Sequence, residues 1–171
     1  MENPYRFEEA VVNKIDRNTA DTKTYTLSLK DSELQNQFSF RPGQFIMISM
    51  FGVGEAPFSI SSDPDDKSSF ATTVRRVGNL TGVLDRCKEG DTVGVRGPYG
   101  TGWPLDKLKQ KDCLIIAGGL GLPPLRSVIT QISHNRSDYG QLEILYGART
   151  PADMIFPEQY GEWRKMRNTR L

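Results

Sequence analysis

Short runs of alternating apolar and polar residues fill the first hundred positions, and this period of two predicts β-strands. Within residues 22–29, Tyr25, Leu27 and Leu29 fall on one face while hydroxyl side chains fall on the other. Further strands are predicted at residues 7–15, 45–50, 58–61, 70–77 and 92–97. Turns rich in proline, glycine and aspartate separate these runs, so we expect a six-stranded antiparallel β-barrel over residues 1–103.

One helix is predicted inside this barrel, at residues 80–86, with Asn79 as its N-terminal cap. No other segment of the first hundred residues shows a helical repeat, so we expect this helix to be the only one there.

The pattern changes in the remainder of the chain. A short, wholly apolar run at residues 113–117 is typical of a strand buried on both faces of a parallel sheet. Residues 123–132 repeat apolar side chains every three to four positions, which predicts a helix. A strand at 142–146 and a helix at 157–166 follow. We therefore expect residues 104–171 to form an α/β parallel-sheet domain with a right-handed crossover.

Two strands are fewer than the roughly five or six of a doubly wound nucleotide-binding domain. Such a sheet would keep an open edge and a partly uncovered surface. Two explanations stay open: residues 104–171 are the N-terminal portion of a longer nucleotide domain, or a partner protein completes the sheet.

Composition narrows the class of protein. Of the 171 residues, 37% are hydrophobic and 25% are charged, as in a globular protein, and the net charge of +1 gives no reason to expect a nucleic-acid partner. No apolar run approaches the ~20 residues of a membrane span, and the N-terminus lacks an apolar signal segment, so we expect a cytoplasmic protein. Cys87 and Cys113 are too few and too far apart for a metal centre, and His134 falls at a predicted helix end.

The first candidate for chemistry is the run Ala56-Pro57-Phe58-Ser59-Ile60-Ser61. Proline fixes the backbone, Phe58 offers an aromatic face and Ser59 offers a hydroxyl. This combination suits a flat heterocycle such as a flavin, laid against the barrel wall and hydrogen-bonded at one edge. The alternative is a core phenylalanine beside a turn serine.

The second candidate is the segment from Val74 to Thr81. Gly78 precedes the predicted helix, whose first N–H groups are free, and Thr81 adds a hydroxyl, so the segment suits a diphosphate. Arg75 or Arg76 could offset its charge. The alternative is an ordinary capped helix.

The third candidate is the loop Gly118-Gly119-Leu120-Gly121-Leu122-Pro123-Pro124, between a predicted strand and helix. Glycines allow a pyrophosphate to approach the backbone, so the loop suits a second nucleotide. The spacing is not the Gly-x-Gly-x-x-Gly of the dinucleotide fingerprint, and a tight turn without a ligand is the alternative.

In this order, the three motifs resemble the ferredoxin–NADP reductase superfamily. A Gly-Pro-Tyr-Gly run at residues 97–100 and Tyr-Gly-Ala-Arg at residues 146–149 add to the likeness. The resemblance covers residues 7–165. It is greatest to the branch that holds the gamma subunits of hydrogenases and sulfhydrogenases, the corresponding subunit of anaerobic sulfite reductase, and the electron-transfer subunit of dihydroorotate dehydrogenase.

The resemblance implies a flavoprotein oxidoreductase that passes electrons between NAD(P)H and an iron–sulfur or other redox partner through FAD. It places the Ser59 hydroxyl at the reactive edge of the flavin, as the one catalytic side chain. The implied FAD contacts are Pro57, Phe58, Ser59, Ile60, Val74, Arg75, Val77, Gly78, Leu80 and Thr81. The implied nicotinamide-nucleotide contacts are Gly118, Gly119, Gly121, Pro124, Gly147, Ala148 and Arg149.

The chain departs from the superfamily pattern in two ways. Ala56 stands where the superfamily carries an arginine that balances the diphosphate charge. Members of the branch also continue into a cysteine-rich segment for a [2Fe–2S] cluster, whose ligands Cys87 and Cys113 do not match. The alternative function is therefore a non-catalytic docking module of a redox complex that has lost flavin binding. The choice between NAD and NADP stays open.

Overall fold

A computed structural model of the protein describes residues 6–171, which fold into two sheets with separate hydrophobic cores. The first sheet has six antiparallel strands in the order β4-β3-β6-β1-β2-β5. Their bounds are Glu8–Arg17 (β1), Thr22–Leu29 (β2), Phe45–Met50 (β3), Gly54–Ser59 (β4), Phe70–Arg75 (β5) and Thr92–Tyr99 (β6). The prediction of a six-stranded antiparallel sheet is confirmed. The strand that carries the first motif begins four residues earlier than predicted.

The two edge strands of this sheet approach each other but do not form a continuous ladder. An isolated bridge joins Ile60 to Thr72, and the Ser61 N–H donates to the Ala71 carbonyl at 2.8 Å. The sheet therefore curls around the apolar side chains of its inner face, including the fully buried Leu27, Ile46 and Phe70, without closing completely.

Two short helices lie within residues 6–100, so the prediction of a single helix was wrong. Helix α1 covers Ser32–Gln37, where Asp31 caps the helix by accepting hydrogen bonds from the N–H groups of Glu33 and Leu34. Six residues are too few to show a helical repeat in the sequence. Helix α2 covers Asn79–Leu84; its cap is Gly78, and Asn79 is its first residue.

The second sheet contains three parallel strands, β7 (Cys113–Gly118), β8 (Leu142–Gly147) and β9 (Thr169–Arg170), in that order. Helix α3 (Leu122–His134) connects β7 to β8 and confirms the predicted strand–helix–strand unit. A 3-10 turn at Pro157–Gln159 leads into helix α4 (Tyr160–Lys165). Strand β9 was not predicted, because two residues carry no periodic pattern.

One face of the second sheet is uncovered, which contradicts the prediction that residues 113–117 are buried on both faces. Cys113, Ile115 and Ala117 are buried toward the core that includes α3, whereas Leu114 is 58% exposed and Ile116 is 66% exposed. The prediction of a parallel strand is confirmed, but no described element packs over its second face.

The two sheets meet where β4 ends and α3 begins. The Ser127 hydroxyl donates to the Ile60 carbonyl at 3.3 Å, and Arg126 Nη1 donates to the Ser61 carbonyl at 3.1 Å. The interface therefore fixes the end of the first motif against the helix that follows the glycine loop. Within residues 6–171, every helix is too short or too polar to span a bilayer.

Candidate functional site

A cleft of about 450 Å³ opens between the two sheets. The C-terminal ends of β7 and β8 form one wall, and the β1–β2 turn with the end of β5 forms the other. Its lining residues are Thr19, Asp21, Thr22, Arg75, Gly118, Gly119, Leu120, Gly147, Ala148, Arg149, Asp153 and Ile155. Ligands of open α/β sheets bind at the carboxyl ends of the strands, so this cleft is the candidate site.

The loop glycines at the carboxyl ends of β7 and β8 are not explained by packing of the protein. A Cβ atom built on Gly118, Gly119, Gly121 or Gly147 meets no protein atom within 4 Å. Other glycines such as Gly82 and Gly161 are equally open, whereas a Cβ on Gly140 would clash with Asp112. Of the four loop glycines, only Gly119 is required by the backbone, since its φ is +49°. Open space beside the other three is what close approach of a ligand to the backbone requires.

The N-terminus of α3 differs from the usual anion site in one respect. Pro123 and Pro124 occupy its first turn and have no N–H group, so two of the donors that normally meet a phosphate are missing. The N–H of Leu122 donates to the Gly119 carbonyl. An anion here would therefore interact with the partial positive charge of the helix and with loop N–H groups, not with a full helical turn.

Of the two candidate arginines, only Arg75 reaches the cleft. Its Nε donates to Asp21 Oδ2 at 2.7 Å. The Arg75 guanidinium, together with hydroxyls of Thr19 and Thr22, lowers the pKa of Asp21 to about 2. Arg76 instead lies 3.5 Å from Asp85 outside the cleft lining, which disfavours it as a counter-charge there.

Strand β8 supplies the other cationic residue. Gly147 ends the strand, and Ala148 and Arg149 follow it in the cleft lining. The Arg149 side chain is largely exposed and makes one loose ion pair with Asp153, at 3.6 Å. This guanidinium is available to a charged group of a ligand at the rim.

The first sequence motif lies on β4, an edge strand, where Pro57 needs no ladder donor on its open side. Phe58 is half-buried against the barrel core, and Ser59 is half-buried. The Ser59 carbonyl accepts a hydrogen bond from Thr72 Oγ1, but within residues 6–171 its hydroxyl has no hydrogen-bond partner. Ile60 is fully buried, its N–H donates to the Gln44 carbonyl and its carbonyl accepts from Ser127, which disfavours it as a ligand contact.

The loop of the second motif is held in shape by hydrogen bonds from its own Thr81 side chain. Thr81 Oγ1 accepts from the N–H groups of Val77 and Gly78, each at 2.9 Å, and donates to the Gly78 carbonyl. The hydroxyl predicted to contact a diphosphate therefore already shapes the loop. Val77 is 79% exposed and a Cβ on Gly78 would meet open space, whereas Val74 points into the barrel core. Leu80 is half-buried.

The cleft thus brings together six predicted residues: Arg75, Gly118, Gly119, Gly147, Ala148 and Arg149. The remaining predicted positions lie outside its lining: Pro57, Phe58, Ser59, Ile60, Val74, Val77, Gly78, Leu80, Thr81, Gly121 and Pro124. Sequence reasoning missed Asp21 and Asp153. The sequence pattern that could have identified Asp21 is the run Thr19-Ala20-Asp21-Thr22, in which two threonine hydroxyls flank a carboxylate.

The histidine and the two cysteines lie outside the cleft. His134 is at the interface between the sheets, with Nδ1 at 3.1 Å from Asp65 and Nε2 at 3.4 Å from Asp63. Burial raises the pKa of the Cys87 and Cys113 thiols, which keeps both protonated and unreactive.

Comparison with known proteins identifies the two domains that form the cleft. The family model of the oxidoreductase FAD-binding domain matches residues 9–103, and that of the oxidoreductase NAD-binding domain matches residues 115–171. The gamma subunit of sulfhydrogenase 1 from Pyrococcus furiosus is 42% identical over 155 residues, which are 91% of this chain and 53% of that protein.

Two further proteins are similar to this chain, one in sequence and one in structure. A probable dihydroorotate dehydrogenase B electron transfer subunit from Pyrococcus furiosus is 37% identical over 77% of this chain and 47% of that protein. The ferredoxin–NADP+ reductase of Plasmodium falciparum shares the fold, with a TM-score of 0.77 and 18% identity over 94% of this chain and 66% of that one. The chain spans about half the length of these curated relatives.

Proposed function

Because this chain belongs to the oxidoreductases that carry an FAD-binding and an NAD-binding domain, we propose that it passes electrons between a nicotinamide nucleotide and a partner redox protein through FAD. The observation that carries the proposal is the interdomain cleft, in which open glycines at the carboxyl ends of β7 and β8 lie opposite Arg75 at the end of β5. We place the boundary of the two domains at residues 103/104.

The residues present fit both cofactors. For FAD, β4 offers the aromatic face of Phe58 and the unpartnered hydroxyl of Ser59, and the α2 loop offers open backbone at Gly78. For the nicotinamide nucleotide, the open glycines 118, 119, 121 and 147 leave room for backbone contact. Arg75 and Arg149 place guanidinium groups on opposite walls of the cleft, paired with Asp21 and Asp153. The resemblance implies Arg75 as an FAD contact; from its place in the cleft we propose it for the nicotinamide nucleotide instead.

FAD, when bound, supplies the ability to exchange electrons with a nicotinamide in pairs and with iron–sulfur centres singly. The protein's part is binding and orientation. With FAD bound, the Ser59 hydroxyl would donate to the flavin edge and Phe58 would pack against the ring. The glycine loop would hold the nucleotide in the neighbouring cleft. No side chain is required as a general acid or base.

The partner in this proposal is a redox subunit, such as one with an iron–sulfur cluster. Two relatives are subunits by name, one of a sulfhydrogenase and one of a dihydroorotate dehydrogenase. Within residues 6–171, Cys87 and Cys113 are the only cysteines, and they are too far apart in sequence for a cluster motif. The exposed Arg149 offers a contact to the additional phosphate of NADP, and the dihydroorotate dehydrogenase relative is named for NAD(+), so both nucleotides are to be tested.

A second candidate is a docking module without flavin, which Ala56 favours because it removes the usual counter-charge of the diphosphate. The two candidates differ in one experiment. The chain is incubated with FAD, separated from free cofactor and mixed with NADH or NADPH in the absence of oxygen. Loss of the visible flavin absorbance supports electron transfer. Absence of bound flavin, together with tight binding to a partner subunit, supports docking.

A further inference from the structure

Asp21 occupies an unusually well-fixed position on the barrel wall of the cleft. It lies in the turn between β1 and β2, where the hydroxyls of Thr19 and Thr22 both donate to its Oδ1 at 2.9 Å. Its Oδ2 accepts from Arg75 Nε at 2.7 Å, and its carbonyl accepts from the Arg76 N–H at 2.8 Å. Three side-chain donors therefore hold the carboxylate in one orientation.

This arrangement orients the guanidinium of Arg75. Arg75 uses Nε for Asp21, and its two terminal nitrogens have no hydrogen-bond partner in the part of the chain that the structure describes. The side chain is 30% exposed and lines the cleft opposite Gly118 and Gly119. A guanidinium held at Nε keeps its terminal fork free for a second, bidentate anion.

We propose that Asp21 is a positioning residue: it holds Arg75 so that the terminal nitrogens face the phosphate groups of the nicotinamide nucleotide. This inference rests on the proposed function, which puts that nucleotide in the cleft. Asp21 touches no ligand in this account and acts only through Arg75.

If only the charge of Asp21 mattered, its removal would change the affinity for the nucleotide in the opposite direction from the one that positioning predicts. A carboxylate beside a phosphate site repels the phosphate, so its removal should tighten binding if charge alone mattered. If Asp21 acts by positioning, its removal frees Arg75 to adopt other rotamers, and binding weakens. The sign of the change separates the two explanations.

The test measures the dissociation constant of NADPH by isothermal titration for the wild-type chain, Asp21→Asn, Arg75→Ala and the double variant. We expect Asp21→Asn and Arg75→Ala each to weaken binding about tenfold, the loss of one charge-assisted contact. In the double variant, Asp21→Asn should add nothing to the effect of Arg75→Ala, because a residue that acts through another is silent without it.

A matched control removes another carboxylate that pairs with an arginine of the same segment. Asp85 lies 3.5 Å from Arg76 and 3.0 Å from Lys23, outside the cleft lining. Asp85→Asn should lower the stability of the barrel without changing the affinity for NADPH. If it weakens NADPH binding as much as Asp21→Asn does, the effect of Asp21 is general destabilisation and the inference is wrong.

A second variant keeps the test decisive if Asp21→Asn does not fold. Arg75→Lys retains an ion pair with Asp21 but has no second pair of donors, so we expect it to bind NADPH about tenfold more weakly. Unchanged binding by Arg75→Lys, or tighter or unchanged binding by a folded Asp21→Asn, overturns the inference alone. A wild-type chain that binds neither NADPH nor NADH overturns the proposed function and the inference with it.

Discussion

Arg126 Nη1 donates a hydrogen bond to the carbonyl oxygen of Ser61 at 3.1 Å, from the α/β domain to the residue that ends the first motif. Its Nε donates to Gln159 Oε1 at 2.9 Å, and its guanidinium lies 4.6 Å from the centre of the Phe156 ring. Burial lowers the pKa of Arg126. Within residues 6–171 it makes no ion pair, so it joins the two domains through uncharged partners.

Arg126→Met should therefore destabilise the chain. It leaves the Ser61 carbonyl and the Gln159 amide without their donor, which costs about 2 kcal/mol in the free energy of unfolding. Urea denaturation measures this change. Arg86→Met, on the surface of the barrel, is the matched control and should stay within about 0.5 kcal/mol of wild type. Equal stability of the two variants would show that the Arg126 contacts contribute nothing.

Gly118→Ala should leave the fold intact and weaken nucleotide binding. Gly118 has a φ of −124°, which alanine adopts without strain, and the new methyl group would meet only open space in the protein. In the cleft that methyl would occupy the space that we assign to the nucleotide, so we expect at least about tenfold weaker NADPH binding with an unchanged melting temperature.

Gly140→Ala is the contrasting variant. Its Cβ would clash with Asp112 in the protein itself, so we expect a loss of stability, about 1–3 kcal/mol. The nucleotide affinity of the folded fraction should not change. If Gly118→Ala binds NADPH as wild type does, the open space beside the loop is not the nucleotide site.

Ser59→Ala should slow reduction of bound flavin by NADPH without affecting the fold. The hydroxyl has no partner within residues 6–171, so its removal leaves no protein group unsatisfied, yet it takes away the side-chain donor that we assign to the flavin edge. We expect a rate about tenfold lower in stopped-flow measurements under anaerobic conditions. Ser49→Ala, a half-buried serine on the neighbouring β3, is the control and should keep the wild-type rate. Identical rates in both variants would remove Ser59 from the mechanism.

The Asp21–Arg75 pair predicts a stability that declines in acid. Because the pKa of Asp21 is lowered to about 2 in the folded chain, against about 3.9 for an unfolded aspartate, the pair stabilises the fold fully above about pH 5. As the pH falls, the unfolded chain takes up the proton first, so the contribution shrinks and is lost near pH 2. The difference in unfolding free energy between wild type and Asp21→Asn, followed by urea denaturation, should decrease over this range. A constant difference contradicts the assigned pair.

Strand β2 was predictable because one of its faces lies in the core. Tyr25 and Leu27 are both buried on the inner face of β2, and the alternation in sequence follows this directly. Helix α1 and strand β9 were not predictable, since six and two residues are too short for a period to appear. The exposure of Leu114 and Ile116 was also hidden, because an apolar strand does not reveal how many of its faces are covered.

Part of the cleft lining was predictable from sequence. Gly118 and Gly119 were found from their place after an apolar strand and Arg149 from the resemblance, and the structure brings the three into one cleft. Asp21 was missed because its importance depends on Arg75, 54 positions away, which only the pairing of β2 with β5 brings near. The hydrogen bonds of the Thr81 hydroxyl to its own loop could not be predicted either. A threonine that caps a helix and a threonine that binds a ligand can occupy the same position in a sequence.

Binding of FAD is the central claim, because the flavin connects the barrel, the cleft and the proposed partner. The most direct measurement is a titration of the purified chain with FAD, followed by the quenching of flavin fluorescence and by the stoichiometry of the complex after gel filtration. The account predicts saturable binding of one FAD per chain and a yellow protein. A folded, colourless chain that binds neither FAD nor FMN would contradict it.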